Sequence, residues 1–358
     1  VETSPFRYQG PLAPDELRGR DSLLADLTRR VTEHRVTALL GPRRYGKTSV
    51  LDRLVADLGE VSTVAVDLYG VQSPVDVATR VDDALARAPA AFRTAAQPVT
   101  AKVGINLGAV RAEFARARRH QPDPTARLSQ LLDVIVEAAR RVPTLLVLDE
   151  FPDIERAPGA AGLMRTKLQR DYHRLGLLFA GSRVSAMRAM FADRDQPFYG
   201  QADLVPIGPL DPVVVHELVA EGFTSTGRDP GNVAAAIHAL TGGHPQRTML
   251  LADAAWRHTP EGGDAEERWG EALTDVRAAV DPTMRTLHDH LEWGEQRVLR
   301  LLAHDAPLHG ATAKQLRLTG GTVSNAHRQL TVNGHLHDGG AFVDPLFADW
   351  FRQTLPLT

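Results

Sequence analysis

Gly41-Pro42-Arg43-Arg44-Tyr45-Gly46-Lys47-Thr48 is the stretch on which the reading of this chain turns. Two glycines enclose four residues and lead into Lys-Thr, the spacing of a phosphate-binding P-loop. Its flanks agree. Residues 36–40 form a short apolar run ending at Gly41, as a buried strand does, and residues 47–58 return to helical spacing. In such a loop the backbone N–H groups wrap a phosphate, and the positive end of the following helix adds to the attraction. Lys47 is expected to reach the β- and γ-phosphates, and the Thr48 hydroxyl to ligate magnesium. ATP or ADP with Mg2+ is the expected ligand.

Outward from the loop, apolar strands and helices alternate. Strands are expected at 36–40, 61–68, 144–148, 176–181 and 203–207, and helices at 18–30, 47–58, 74–88, 122–141 and 159–175. Residues 100–114 alternate around Asn106-Leu107-Gly108 and read as an inserted β-hairpin. Strands alternating with helices imply an α/β fold with a parallel sheet covered on both faces. That unit is expected to span residues 1–210. Residues 211–262 read as a small helical lid, and 263–358 as a helical linker followed by three helix-like stretches and a short strand pair near Asp338-Gly339-Gly340.

The second chemical signal is Leu145-Leu146-Val147-Leu148-Asp149-Glu150, an apolar strand ending in two carboxylates, as in a Walker B segment. Asp149 is expected to hold magnesium and Glu150 to act as general base on the attacking water. For Arg183, which follows a strand end in Gly181-Ser182-Arg183, two readings stand: a cationic sensor of the γ-phosphate or an ordinary surface arginine. Thr241-Gly242-Gly243-His244-Pro245 is either a turn folded over the nucleotide or a plain helix–helix turn.

Composition bounds the partners. At 358 residues the chain is too long for one compact core, and two or three domains are expected. A formal net charge of −3 announces no bulk nucleic-acid binder, and the absence of cysteine rules out disulfides and thiolate metal sites. The histidines, His244, His258, His288 and His290 among them, lack ligand spacing. No signal-peptide pattern stands near Val1 and no apolar run is long enough to span a bilayer, so a cytoplasmic location and no membrane partner are expected.

With these pieces in place the chain resembles the archaeal-type ATPases of the STAND class, within the AAA+ assembly of ASCE P-loop proteins. The resemblance runs from Leu17-Arg18-Gly19-Arg20-Asp21 through residues 41–49, Asp149-Glu150-Phe151 and Ala180-Gly181-Ser182-Arg183. It continues through Pro197-Phe198-Tyr199-Gly200 and Gly243-His244-Pro245 to Asp344-Pro345 and Trp350. It implies that Arg20 lies near the adenine, that Gly41, Pro42, Arg43, Arg44, Tyr45, Gly46, Lys47, Thr48 and Ser49 line the phosphates, and that Pro245 contacts the nucleotide. It implies a P-loop strand between others with the Walker B strand beside it, a helical lid and a C-terminal winged helix. Nucleotide-dependent movement of that winged helix is part of the same expectation. The chain departs from the family at Gln201, where an arginine follows Tyr-Gly, which weakens the case for a ring with arginine fingers; Arg183 and Arg194 are substitutes.

Residues 312–318 and 322–332 are spaced as a helix-turn-helix around Gly320-Gly321, with Ser324, Asn325, His327, Arg328 and Gln329 on the second helix. Acidic and basic residues are nearly balanced after Trp293, and Lys314, Arg317 and Arg328 make no basic stripe. Double-stranded DNA, a protein partner, an interdomain latch and a homo-oligomer all stay open. The function these signals imply is an ATP-hydrolysing molecular switch, or alternatively a DNA-binding initiator- or loader-like ATPase.

Overall fold

The computed structural model describes residues 2–109 and 123–357. Its centre is a five-stranded sheet of β1 (Thr37–Leu40), β2 (Ser62–Asp67), β3 (Thr144–Asp149), β4 (Leu175–Gly181) and β5 (Asp203–Pro206). The order is β2-β3-β4-β1-β5 and every pairing is parallel. Residues of β1, β3 and β4 are buried almost throughout, which is why these strands are continuous apolar runs without alternation. One topological expectation is corrected. The strand carrying Asp149 does not lie beside β1, because β4 is inserted between them.

Among the described residues seven helices cover the two faces: α1 (Asp21–Thr32), α2 (Lys47–Leu58), α3 (Pro74–Arg87), α4 (Ala90–Val103), α5 (Pro124–Ala139), α6 (Ala160–Leu168) and α7 (Val184–Ala192). On one face, side chains of α3 to α7 join those of the strands in a single apolar cluster. Four of its phenylalanines, Phe151, Phe179, Phe191 and Phe198, gather with ring centroids 4.5 to 6.2 Å apart. Phe151 directly follows the two carboxylates of β3, so this cluster anchors the loop that carries them. On the other face, α1 and α2 pack Leu24, Leu27, Val50 and Leu54 against Leu39, Leu145 and Leu178.

The hairpin expected at 100–114 is also corrected. Residues 100–103 are the last turn of α4, and Gly104, in the left-handed conformation, ends it. Asn106 to Gly108 do form a turn, with the Ala109 amide donating to the Asn106 carbonyl. The alternation there reflects Ile105 and Leu107 dropping onto the core after a helix end, not a strand pair. Residues 110–114 lie outside the described part. The helix expected at 159–175 is likewise shorter, since residues 169–171 tighten into a 3-10 turn before β4.

After β5 come α8 (Pro212–Thr224), α9 (Val233–Thr241), α10 (Pro245–His258) and the long α11 (Ala265–Asp289). Then follow α12 (Trp293–Ala303), α13 (Ala311–Gln315), α14 (Gly320–Val332) and α15 (Pro345–Thr354). The strand pair expected near Asp338 is a single antiparallel bridge, Leu336 with Phe342, around a tight turn. One apolar cluster runs through all eight helices except at their surfaces and takes in Phe6 from the N-terminal arm. Two bidentate ion pairs fasten α15 to it. Arg277 holds both Asp349 oxygens at 2.8 Å, and the Arg247 fork holds both oxygens of Asp344, with Nε at 2.9 Å. Trp350 adds an indole N–H bond of 2.8 Å to Asp281.

The joint between sheet and helices is narrow and sterically demanding. Gly243 has φ +79°, and a Cβ there would stand 2.1 Å from the Leu210 carbonyl oxygen. Its own carbonyl accepts from the Leu210 amide at 2.8 Å. Gly243→Ala therefore meets rigid backbone and an unfavourable dihedral together. It is expected to lower unfolding free energy by roughly 2–3 kcal/mol, read as a shift of the urea midpoint at unchanged slope.

Candidate nucleotide site

The site lies at the carboxyl ends of the strands, where open α/β sheets leave a crevice. The chain leaves β1 at Leu40, wraps through residues 41–46 and enters α2 at Lys47. Gly46 makes that entry possible as the left-handed N-cap, at φ +85°. Arg44 is also held at positive φ, +68°, so the loop is strained as phosphate-cradling turns are. Arg43 and Arg44 point out to solvent while Tyr45 turns inward and is buried.

Lys47 is buried, and its ammonium donates to the loop's own carbonyls, Gly41 at 2.7 Å and Pro42 at 3.0 Å. Burial pulls its pKa down, against the attraction of Glu150 and Asp149. Asp149 ends β3 and its pKa is pushed up, first by burial and further by Glu150 and Asp67. Asp67 stands opposite it in the register of β2. Glu150 adopts φ +46°, which lifts its side chain out of the strand line. One carboxylate oxygen accepts from the Ser182 amide at 3.1 Å and the Ser182 hydroxyl at 2.9 Å. Lys47, Thr48, Asp149, Glu150 and Ser182 line one cavity of about 730 Å3, a size that suits a nucleotide-class ligand.

The remaining expected residues are distributed as follows. Ser49, Gly46 and Pro245 border both this cavity and an adjoining apolar one of about 280 Å3. Arg20 and Tyr45 also line the apolar cavity. The Arg20 guanidinium donates to the Gly208 carbonyl at 2.8 Å and to Pro209 at 3.4 Å, tying the start of α1 to the linker after β5. Gly41 accepts from Lys47 and Pro42 lines a separate cleft toward the C-terminal helices. Arg183 is not brought to the phosphate cavity. It pairs with Asp153 at 2.8 Å and faces that separate cleft, leaving its neighbour Ser182 to touch Glu150. The Gln201 side chain donates to the Tyr199 carbonyl at 3.4 Å and its backbone amide to the Phe198 carbonyl at 3.0 Å, and Phe198 of the same segment is core.

Two groups of contacts were not read from the sequence. The N-terminal arm walls both cavities: Leu12 donates its amide to the Ser49 hydroxyl at 3.0 Å, and Phe6 is buried against Phe223, 5.5 Å between centroids. Only the isolated Phe6 and Leu12 in a polar stretch hinted at it. The second group centres on Tyr45. Its ring meets His244 edge-on at 4.8 Å, and its hydroxyl is 3.3 Å from Nε2 of His337. The loop is thus in contact with α10's cap and with the turn after α14. Burial raises the Tyr45 pKa to about 12 and lowers that of His244 to about 4.

Comparison of the sequence with protein-family profiles gives no match, and comparison with curated proteins gives none. Solved structures do match in fold. A Walker-type ATPase of Pyrococcus abyssi superposes with a TM-score of 0.70 at 17% identity, over 97% of this chain and 99% of that one. The ORC2 protein of Aeropyrum pernix, in ADPNP and ADP complexes, gives 0.61 at 16% identity, over 97% and 95%. ORC1 from Aeropyrum pernix, solved with DNA, gives 0.54 at 16%, over 100% and 99%. The fold is shared with these proteins over the full length: a parallel sheet of this order followed by helical regions.

The depressed His244 pKa has a thermodynamic sign. The folded value, about 4, lies below the ordinary 6.5, so between these limits the unfolded chain binds more protons. Stability is complete above about pH 6.5 and falls as pH drops toward 4, by about 3 kcal/mol from this group. Burial lowers His335 and His337 too, with the same sign. Urea unfolding across this window is expected to show the loss, and His244→Gln to flatten part of it.

Proposed function

We propose that this chain is an ATP-binding and ATP-hydrolysing switch, in which the state of the phosphate site is passed to the C-terminal helices. The observation that carries the reading is the convergence of Lys47, Thr48, Asp149, Glu150 and Ser182 on one cavity at the sheet's carboxyl edge. Lys47 would exchange its two loop carbonyls for phosphate oxygens. Arg43 and Arg44 stand on the loop's open side to add charge. Thr48 and Asp149 offer hard oxygen donors, suited to Mg2+. Bound there, Mg2+ would neutralise charge on the phosphates.

Glu150 is the group best placed to take a proton from water. Ser182 holds one of its oxygens, which orients the carboxylate and leaves the second oxygen available. The apolar cavity beside the loop, bounded by Leu12, Leu218, Pro245 and Met249, suits a nucleobase. Coupling would run through Tyr45, which moves with the loop and touches both His244 and His337. A ligand shifts such an equilibrium only by its differential affinity, and a γ-phosphate provides one through Lys47 and Glu150.

A second reading is an ATPase that loads or marks DNA. It is favoured by the exposed Ser324, Asn325 and Arg328 on α14 and by the likeness to ORC1 solved with DNA.

Turnover of the full chain separates these ideas. Glu150→Gln is expected to keep ATP binding and to lose on the order of 10² or more in rate. Lys47→Ala is expected to lose binding itself. Equal turnover by wild type and Glu150→Gln would remove the general-base assignment. Strong acceleration by duplex DNA would favour the second reading.

A further inference from the structure

Between the start of α7 and the turn that follows α14 lies the cleft that Arg183 faces, with a volume of about 560 Å3. Its charged lining is mostly cationic. Arg43, Arg183 and Arg188 contribute guanidiniums, and Asp338 is the one carboxylate among the described residues that line it. The first turn of α7 borders the same space through Val184 and Ser185, and no side chain caps that turn. The positive end of the helix adds to the charge of the arginines.

These arginines are held lightly. Arg183 makes a single contact to Asp153, at 2.8 Å, and Arg188 a single contact to Asp338, both partners of the second pair being half-exposed. Arg247 and Arg277, by contrast, each grip both oxygens of a carboxylate. Arg43 lies near the Tyr69 ring, 5.9 Å from its centroid, and pairs with no carboxylate among the described residues. Single, solvated ion pairs contribute little and yield to a competing anion.

The cleft adjoins the nucleotide cavity. Arg43 and Ser182 line both, and Ser182 is the residue that holds Glu150. The shared wall is therefore the side on which a terminal phosphate would be cleaved. Other walls of the nucleotide cavity are occupied, by residues 7–12 of the N-terminal arm and by Pro245, Gln246 and Met249 of α10. A diphosphate still held by the loop closes the way back through it.

We propose that this cleft is a binding site for the phosphate dianion, and the route by which phosphate cleaved beside Glu150 leaves the protein. The source of the ion rests on the hydrolysis proposed above; the site itself does not. Guanidinium forks match phosphate geometry, and Arg183 and Arg188 follow Ser182 along the chain from the end of β4 into α7. An ion on Arg188 competes with Asp338 and loosens the ion pair that ties the turn after α14 to α7. Departing phosphate is thereby felt by the C-terminal helices.

The site is tested without nucleotide, by phosphorus NMR line broadening of inorganic phosphate titrated with the full chain. Wild type is expected to bind, and Arg188→Glu to weaken binding by about tenfold or more. Asp338→Asn removes the competing carboxylate and is expected to tighten binding severalfold. Both variants break the same ion pair, so opposite effects separate anion binding from loss of the contact. Lys47→Ala is expected to bind phosphate as wild type does. No binding by wild type, equal binding by Arg188→Glu, or loss in Lys47→Ala, which would put the ion in the P-loop, would each overturn the site. The route is read in single-turnover ATP hydrolysis, with cleavage followed by acid quench and release by a fluorescent phosphate sensor. Asp338→Asn is expected to lengthen the lag between cleavage and release by about the factor by which it tightens binding. An unchanged lag would overturn the route and make the cleft a site for phosphate or a phosphate ester from outside. A chain without turnover would fail the proposed function, and the titration would still decide the site.

Discussion

A buried ammonium opposite two carboxylates is the constraint around which the molecule is arranged. Lys47 lies out of water, with Asp149 and Glu150 across the cavity and loop carbonyls as its immediate partners. A charge in such a place must be met by hydrogen bonds or counter-charge, or its pKa shifts. The loop meets it by wrapping tightly enough to aim two carbonyls inward, which needs the positive φ of Gly46 and of Arg44. The sheet meets it by ending β1 and β3 at a common level, with β4 between them to bring Ser182 onto Glu150.

From this centre the contacts lead outward without a break. Tyr45 carries the loop's position to His244, the N-cap of α10, whose ring nitrogen accepts from the Arg247 amide. Arg247 in turn grips Asp344, which caps α15. The same tyrosine reaches His337 directly. The lid turn and the C-terminal helices therefore meet the phosphate loop through one aromatic side chain, and burial keeps both Tyr45 and His244 neutral near pH 7. A neutral, tightly packed joint responds to displacement and not to charge.

Much of this was legible from local pattern. The strands were visible as apolar runs because a two-sided parallel sheet removes the polar alternation, and the P-loop and the Asp149-Glu150 pair were visible because their chemistry requires fixed spacing on contiguous residues. The hairpin expectation failed at residues 100–103 because a helix end followed by a turn also brings apolar side chains to the core at short intervals. Arg183 stood out as a charge at a strand tip, but a carboxylate from the next segment, Asp153, is 2.8 Å away and claims it. No local pattern could have reported that.

The sequence by itself determined the individual strands, the phosphate loop, the acidic strand end and the helix-turn-helix spacing, because each depends on residues within about a dozen positions of one another. Tertiary structure decided which side chains meet across long separations. It placed Ser182 on Glu150, Tyr45 between His244 and His337, and Phe6 in the core of the C-terminal helices. Those meetings depend on strand order and helix packing, which are set by the burial of the whole apolar surface and not by any local spacing.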